Sequence, residues 1–196
     1  MRKSFLYSTA VAELTEVLNS SLFMEDVIAK TSSVIIDSIH NGGKLLTCGN
    51  GGSAADALHL AEELVGRYSK ERRGLPAICL NSDVTALTCI GNDYGYDQVF
   101  SRQVEALGRS SDVLVGFTTS GNSPNVLSAF QKAKEYGIIT ILLSGKDGGK
   151  AKNICDYELI VPSANTARIQ EIHTLILHQW LEEIDVTDWS NLNLKK

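Results

Sequence analysis

The chain has 196 residues, 43% of them hydrophobic and 21% charged, which is enough to bury one sizeable core with an appended helical segment. A formal net charge of -5, with no run of Lys or Arg longer than Arg72-Arg73, argues against a nucleic-acid face, because phosphate backbones are bound by clustered cations. No stretch approaches the roughly 20 apolar residues that span a bilayer, and Cys48, Cys79, Cys89 and Cys155 lie far apart without C-x-x-C spacing, as reduced thiols of a cytoplasmic protein do.

In chain order, Met1-Arg2-Lys3-Ser4 followed by Phe5 to Ala12 imitates a signal peptide with Ala10-Val11-Ala12 as its cleavage site, but Tyr7, Ser8 and Thr9 interrupt a very short apolar run. Residues 5–40 carry Phe5, Val11, Leu14, Val17, Leu18, Val27, Ile28, Val34, Ile35 and Ile36 at helical spacing, which predicts two amphipathic helices. From Lys44 the pattern changes to short apolar runs that end in Gly/Ser/Asn-rich turns and lead into helical segments, the signature of a parallel sheet. Strands are expected at Lys44–Cys48, Ala77–Leu80, Val113–Phe117, Ile138–Leu143 and Tyr157–Val161. Helices are expected at about 53–67, 83–91, 97–107, 124–136, 148–153 and 166–185.

The expectation is one domain over 1–196. It comprises an N-terminal helical arm (1–40) and an α/β, doubly wound, mainly parallel five-stranded sheet of flavodoxin-like type (41–196). Ligands of such folds bind beyond the carboxyl ends of the strands, which directs attention to the loops after strands one, three and five.

After the first strand, Gly49-Asn50-Gly51-Gly52-Ser53 opens into a helix. Glycines let backbone N–H groups approach an anion, and a helix start adds free donors; the plainer reading is a turn capped by Ser53. Gly49-x-Gly51-x-x-Ala54 also satisfies the dinucleotide fingerprint. The acidic residue is expected about 20 positions on, at the end of the second strand, but that strand ends at Leu80-Asn81-Ser82-Asp83, and the spacing is too long. After the third strand, Thr118, Thr119, Ser120 and Ser123 put four hydroxyls in six residues at another helix start, suited to phosphate oxygens. Two such loops on one sheet are hard to explain by capping alone.

Gly49-Asn50-Gly51-Gly52-Ser53, Thr119-Ser120-Gly121-Asn122-Ser123 and Gly145-Lys146-Asp147-Gly148-Gly149 resemble the SIS (sugar isomerase) domain family. Asp56-Ala57-x-His59-x-Ala61-Glu62-Glu63-Leu64, Gly91-Asn92-Asp93-Tyr94-Gly95 and Arg168-Ile169-Gln170-Glu171-x-His173 resemble the phosphoheptose isomerases within it. The resemblance covers essentially the whole chain. It implies ketose/aldose isomerisation of a sugar phosphate at the head of heptose synthesis for lipopolysaccharide or capsule, in a homotetramer.

Such a reaction needs a base beside a carbon acid and a group that polarises the carbonyl. His59 and Glu63 are four apart on the helix after the first loop, on one face and about one turn beyond the anion site, though a solvated i,i+4 pair looks the same in sequence. Gln170 and His178 lie eight residues apart, about 12 Å of helical rise, so only converging side chains bring them to one centre. His178 sits among Leu175, Ile176, Leu177 and Trp180, where a core or interface histidine is the alternative; His173, in another sector, reads as structural or as a neighbouring-subunit contact.

The resemblance goes further: it implies that His59, Glu63, Gln170 and His178 bind one zinc ion per subunit, with Glu63 and His178 as the acid/base pair working through an enediol. It assigns the sugar phosphate to Asn50, Gly51, Gly52, Asn92, Asp93, Thr118, Thr119, Ser120, Ser123 and Gln170, with Ser53 added at the first helix start, and Glu63 also faces substrate. Thr118, where Ser is common, keeps the hydroxyl; Ala167, where Asp can stand, bears on the exact sugar. Other readings of the fold are a non-catalytic protein that binds the bacterial replication initiator and a sugar-phosphate-sensing regulator. The first lacks counterparts of Glu63 and His178; the second usually carries a helix-turn-helix module, which the arm does not resemble.

Overall fold

The computed structural model describes residues 6–190 and 192, so the signal-like start Met1–Ser4 and the apolar Phe5 lie outside the described residues. The arm forms α1 (Tyr7–Ser20) and α2 (Glu25–His40), joined by a single 3-10 turn at Leu22–Met24. The sheet comprises β1 (Leu45–Gly49), β2 (Ala77–Cys79), β3 (Val113–Thr118), β4 (Ile139–Gly145) and β5 (Tyr157–Val161). Its order is β2-β1-β3-β4-β5, with every neighbouring pair parallel. This is the doubly wound order in which the chain reverses direction beside the first strand, and the crevice there is the natural ligand position.

Successive side chains of a strand face opposite sides, and the core divides accordingly. Leu45, Val113, Val115, Phe117, Ile141 and Leu143 face a layer built by α2, α3 (Gly52–Val65) and α7 (Thr166–Val186). Leu46, Cys48, Leu114 and Leu142 face the opposite layer, where α5 (Ser101–Leu107) and α6 (Pro124–Glu135) supply Val104, Val126 and Phe130. Because β1 and β3 are buried on both faces, they read as mainly apolar runs rather than alternating ones, and the one polar side chain inside β1, Thr47, donates to Ala57 O at 2.7 Å. At their shared start the buried Asp112 accepts from Lys44 N (2.9 Å), Lys44 Nζ (2.6 Å) and Arg109 N (2.8 Å), which fixes the register where the two strands begin.

Two expected helices are shorter than the pattern suggests. The segment predicted at 97–107 opens as a 3-10 turn, Tyr96–Gln98, and becomes α-helical only at Ser101. Gly95 (φ 87°) redirects the chain after α4 (Val84–Tyr94), and Val99 and Phe100 are both wholly buried, so helix formation waits until they are seated. The segment at 148–153 is a 3-10 turn, Gly149–Ala151, because Gly148 and Gly149 both hold positive φ and Lys152 is already extended.

His173, on α7, is fully buried and donates from Nε2 to Ser144 O of β4 at 3.0 Å, with its ring edge-on to Phe117. Burial lowers its pKa to about 4, only partly offset by the bond to Ser144, so the folded protein holds it neutral. An unfolded chain takes up that proton from about pH 6.5 downward, so stability is complete above pH 6.5 and falls as pH drops toward 4, by up to about 3 kcal/mol. Urea unfolding at pH 7 and pH 4.5 should show this loss in the parent and much less of it in His173→Gln, whose amide reaches the Nε2 position. Equal acid losses in both would show that His173 is not the source.

Candidate active site

The helices α3 and α7 lie side by side and run in the same direction, in a register that three contacts define. The Gln170 amide packs on the backbone of Gly52, where any Cβ would collide with it. One turn on, Thr174 Oγ1 donates to Asp56 Oδ1 at 3.0 Å. One turn further, the rings of His178 and His59 meet edge to face, with centroids 5.1 Å apart. His59 Nε2 lies 3.5 Å from Glu63 Oε1. The sequence-predicted His59, Glu63 and His178 thus gather between the two helices, and both His59 and Glu63 are partly buried rather than a solvated surface pair. Gln170 stands two turns of α7 earlier, at the first turn of α3.

Two neighbours escaped sequence reading. Glu62, on the exposed side, brings a carboxylate oxygen so close that ligand atoms of His59, Glu62 and Glu63 lie within 4.8 Å of one another. Tyr68, beyond the end of α3, lays its ring against His178, with centroids 5.5 Å apart and planes 31° apart. An aromatic one residue after an arginine in a loop carries no signal of its own; a Glu-Glu pair offers only the hint of two carboxylates on adjoining faces. Asp56 completes the surroundings. Burial raises its carboxyl pKa, the Thr174 bond and nearby His59 pull it back, and Oδ2 has no partner among the described residues.

The two loops meet at the ends of β1 and β3. Gly51 stands at the start of α3 with φ 57° and ψ -122°, a conformation open to glycine, and no side chain caps that helix. Ser53 lies inside the first turn, nearly buried, so the expectation that it caps the turn is not met. At the start of α6, Ser123 also makes no cap; its hydroxyl pairs with Thr118 Oγ1 at 3.0 Å. Among the other helices α4 and α7 are capped by Asp83 and Asn165, while α1, α2 and α5 make no side-chain cap. Helix starts without caps leave N–H groups free for an anion. Asn50 and Asn125 join the loops by exchanging side-chain amide bonds of 2.8 and 2.9 Å, and Tyr96 OH donates to Asn50 Oδ1 at 3.1 Å.

Thr119 and Ser120 are half-buried beside these starts, and Ser120 Oγ accepts from Asn122 N. Gly121 packs so tightly on the Gly148 carbonyl that a Cβ would overlap it, and Ala151 N donates to Gly121 O at 2.9 Å. The loop after β4 therefore buttresses the loop after β3. Asn92 and Asp93 sit exposed on α4 and bond to each other at 2.7 Å; among the described residues neither makes a hydrogen bond to the two loops or to His59, Glu63 or His178. His59 lies seven residues and Glu63 eleven into α3, about 10 and 17 Å of rise, so the catalytic end stands two to three turns from the helix start rather than the single turn expected.

Residues 7–145 match the SIS domain model. A phosphoheptose isomerase of Campylobacter jejuni is 54% identical over 173 residues, covering 88% of this chain and 93% of that protein. One of Helicobacter pylori is 55% identical over 164 residues, covering 83% and 85%. The structure of phosphoheptose isomerase GmhA from Neisseria gonorrhoeae superposes with a TM-score of 0.85 at 44% identity, over 92% of this chain and 97% of that one. Sequence and fold agree along nearly the whole length: the chain is an isomerase of the SIS domain family and belongs to its phosphoheptose isomerases.

Proposed function

We propose that the chain converts sedoheptulose 7-phosphate to D-glycero-D-manno-heptose 7-phosphate through an enediol, the first step of heptose synthesis for lipopolysaccharide or capsule. One observation carries the assignment of roles: a carboxylate and two imidazoles gather between α3 and α7, two to three turns from a helix start that no side chain caps. Phosphate held at the helix starts by Asn50, Gly51, Gly52, Ser53, Thr118, Thr119, Ser120 and Ser123 leaves an extended seven-carbon chain to run along α3 toward Glu63. Gln170, beside Gly52, reaches the sugar near its phosphate end. Asn92 and Asp93 contribute from α4.

Glu63 removes the proton from the carbon beside the ketose carbonyl and returns it to the former carbonyl carbon. His178 gives a proton to the carbonyl oxygen and withdraws one from the neighbouring hydroxyl, so the net change is a shift of one carbonyl. The donor set also suits zinc, one ion per subunit. His59 and Glu63 present nitrogen and oxygen close enough for one ion, His178 stands beside them, and imidazole and carboxylate are ordinary zinc ligands. His59, Glu63 and His178 would hold it, with Glu62 as a further carboxylate; Gln170, expected as a fourth ligand, stands two turns of α7 earlier, against Gly52. When bound, zinc supplies a Lewis acid that polarises the sugar carbonyl.

A homotetramer fits the arm. Between α1, α2 and α7 runs an open apolar groove of about 470 Å³ lined by Leu18, Leu22, Met24, Ile28, Ile172 and Ile176, and Phe23 beside it is 71% exposed. A cytoplasmic place fits the phosphorylated substrate and the four free thiols. No helix among the described residues is long and apolar enough to cross a membrane. The close relatives favour the enzyme over an initiator-binding protein or a regulator.

Glu63→Gln and His178→Asn should each abolish exchange of solvent deuterium into the sugar phosphate while calorimetric binding persists; parental exchange in zinc-retaining Glu63→Gln would remove Glu63 as the base. Ser120→Ala should do the reverse, weakening binding by roughly 1 to 3 kcal/mol as a lost bond to a charged group does. A chelator should lower turnover and added zinc restore it. Full activity in protein shown metal-free by elemental analysis would end the zinc assignment. Light scattering at micromolar concentration should report four subunits, and a monomer would refute the assembly.

A further inference from the structure

Beyond the end of α3, the loop running from Gly66 toward β2 is tied to α7 by a nearly buried ion pair, Arg72 Nε to Asp185 Oδ1 at 2.9 Å, with side chains 5% and 3% exposed. Apart from a bond of Arg72 Nη1 to Arg73 O at 3.0 Å, the remaining bonds of both residues lead to the end of α3 and to the backbone after Tyr68. Arg72 Nη2 donates to Glu63 O at 2.7 Å and Nη1 to Leu64 O at 2.9 Å, carbonyls at the last turn of α3 that have no helical partner ahead of them. Asp185 Oδ2 accepts from Ser69 N and Lys70 N, both at 2.8 Å, which pins the backbone directly after Tyr68. The Tyr68 ring is the one that lies on His178. Asp185 follows His178 by seven residues, two turns later on the same face of α7.

We propose that Arg72 and Asp185 are positioning residues for the isomerisation, fixing the Glu63 backbone and the Tyr68–His178 contact relative to each other so that the carboxylate and the imidazole address adjacent atoms of one sugar. The proposal rests on the acid/base roles given to Glu63 and His178 above. Neither residue touches the substrate. A guanidinium with donors in a fixed fork suits the task, since it grips two successive carbonyls and a carboxylate at once. A purely stabilising ion pair in the same place would be replaceable by apolar side chains without effect on chemistry.

Three variants, Arg72→Lys, Arg72→Ala and Asp185→Asn, are compared with the parent at equal folded fraction by circular dichroism and at equal zinc content. The expected result is a fall in kcat of roughly 10- to 100-fold, as for a misplaced catalytic group, with an equal fall in solvent deuterium exchange and KM nearly unchanged. Methylguanidinium added to Arg72→Ala should recover part of the lost kcat. If Arg72→Ala does not fold, the near-isosteric Asp185→Asn carries the test. Parental kcat in the folded variants, or a lowered Tm with kcat intact, overturns the proposal. Glu63→Gln is measured alongside: if it is inactive while the clamp variants turn over normally, only the positioning role fails, whereas an active Glu63→Gln removes the acid/base reading itself.

Discussion

The contact on which the site depends is the parallel packing of α3 on α7, set by a glycine. Gly52 gives the Gln170 amide room to lie on the start of α3, and from that point the helices share a register of one turn per contact, through Thr174 and Asp56 to His178 and His59. A side chain at position 52 would displace the Gln170 amide, the end of a flexible side chain, from the start of α3 and so remove the first of the three contacts.

The sheet supplies the rigid reference for this pair. The strands β1 and β3 are clasped at their start by Asp112 and fully buried along their length, so the loops at their far ends leave from fixed points. His173 fastens α7 to β4 through Ser144 while the same helix carries Gln170 and His178 toward α3. One helix thus has its inner side bolted to the core and another side given to the site. The site itself bears a cost: Asp56 is held with an oxygen that has no partner among the described residues, a feature that a structure under stability constraints alone tends to remove.

Much of this was legible because the signals are local. Five apolar runs give five strands, and the turn chemistry of Gly49–Ser53 and Thr118–Ser123 marks two anion-receptive helix starts. The pair His59 and Glu63 declares a shared face by its spacing of four. What was not legible depends on register between distant segments. Nothing in the spacing of Gln170 and His178 says which turn of α3 each will meet, and Arg72 and Asp185 stand 113 positions apart. Ser53 shows how a local rule misleads: its residue type and place suit a cap, but the glycines before it start the helix earlier and carry it into the interior. Asn92 and Asp93 entered only through family resemblance, and among the described residues neither makes a hydrogen bond to the two loops.

The interlocking of the loops after β3 and β4 bears on redesign. At Gly121 the two backbones touch with no side chain between them, and Lys150 N and Ala151 N are bound by Asn122 and Gly121. The path of the hydroxyl-bearing loop is therefore set by main chain against main chain, and cannot be rerouted without rebuilding both. Altering which sugar is accepted is best attempted through side chains that project from this frame, Thr119, Ser120 and the Ala167 position on α7, while the glycines are left as they are. Grafting one of these loops without the other would transfer the hydroxyls and lose the geometry that presents them.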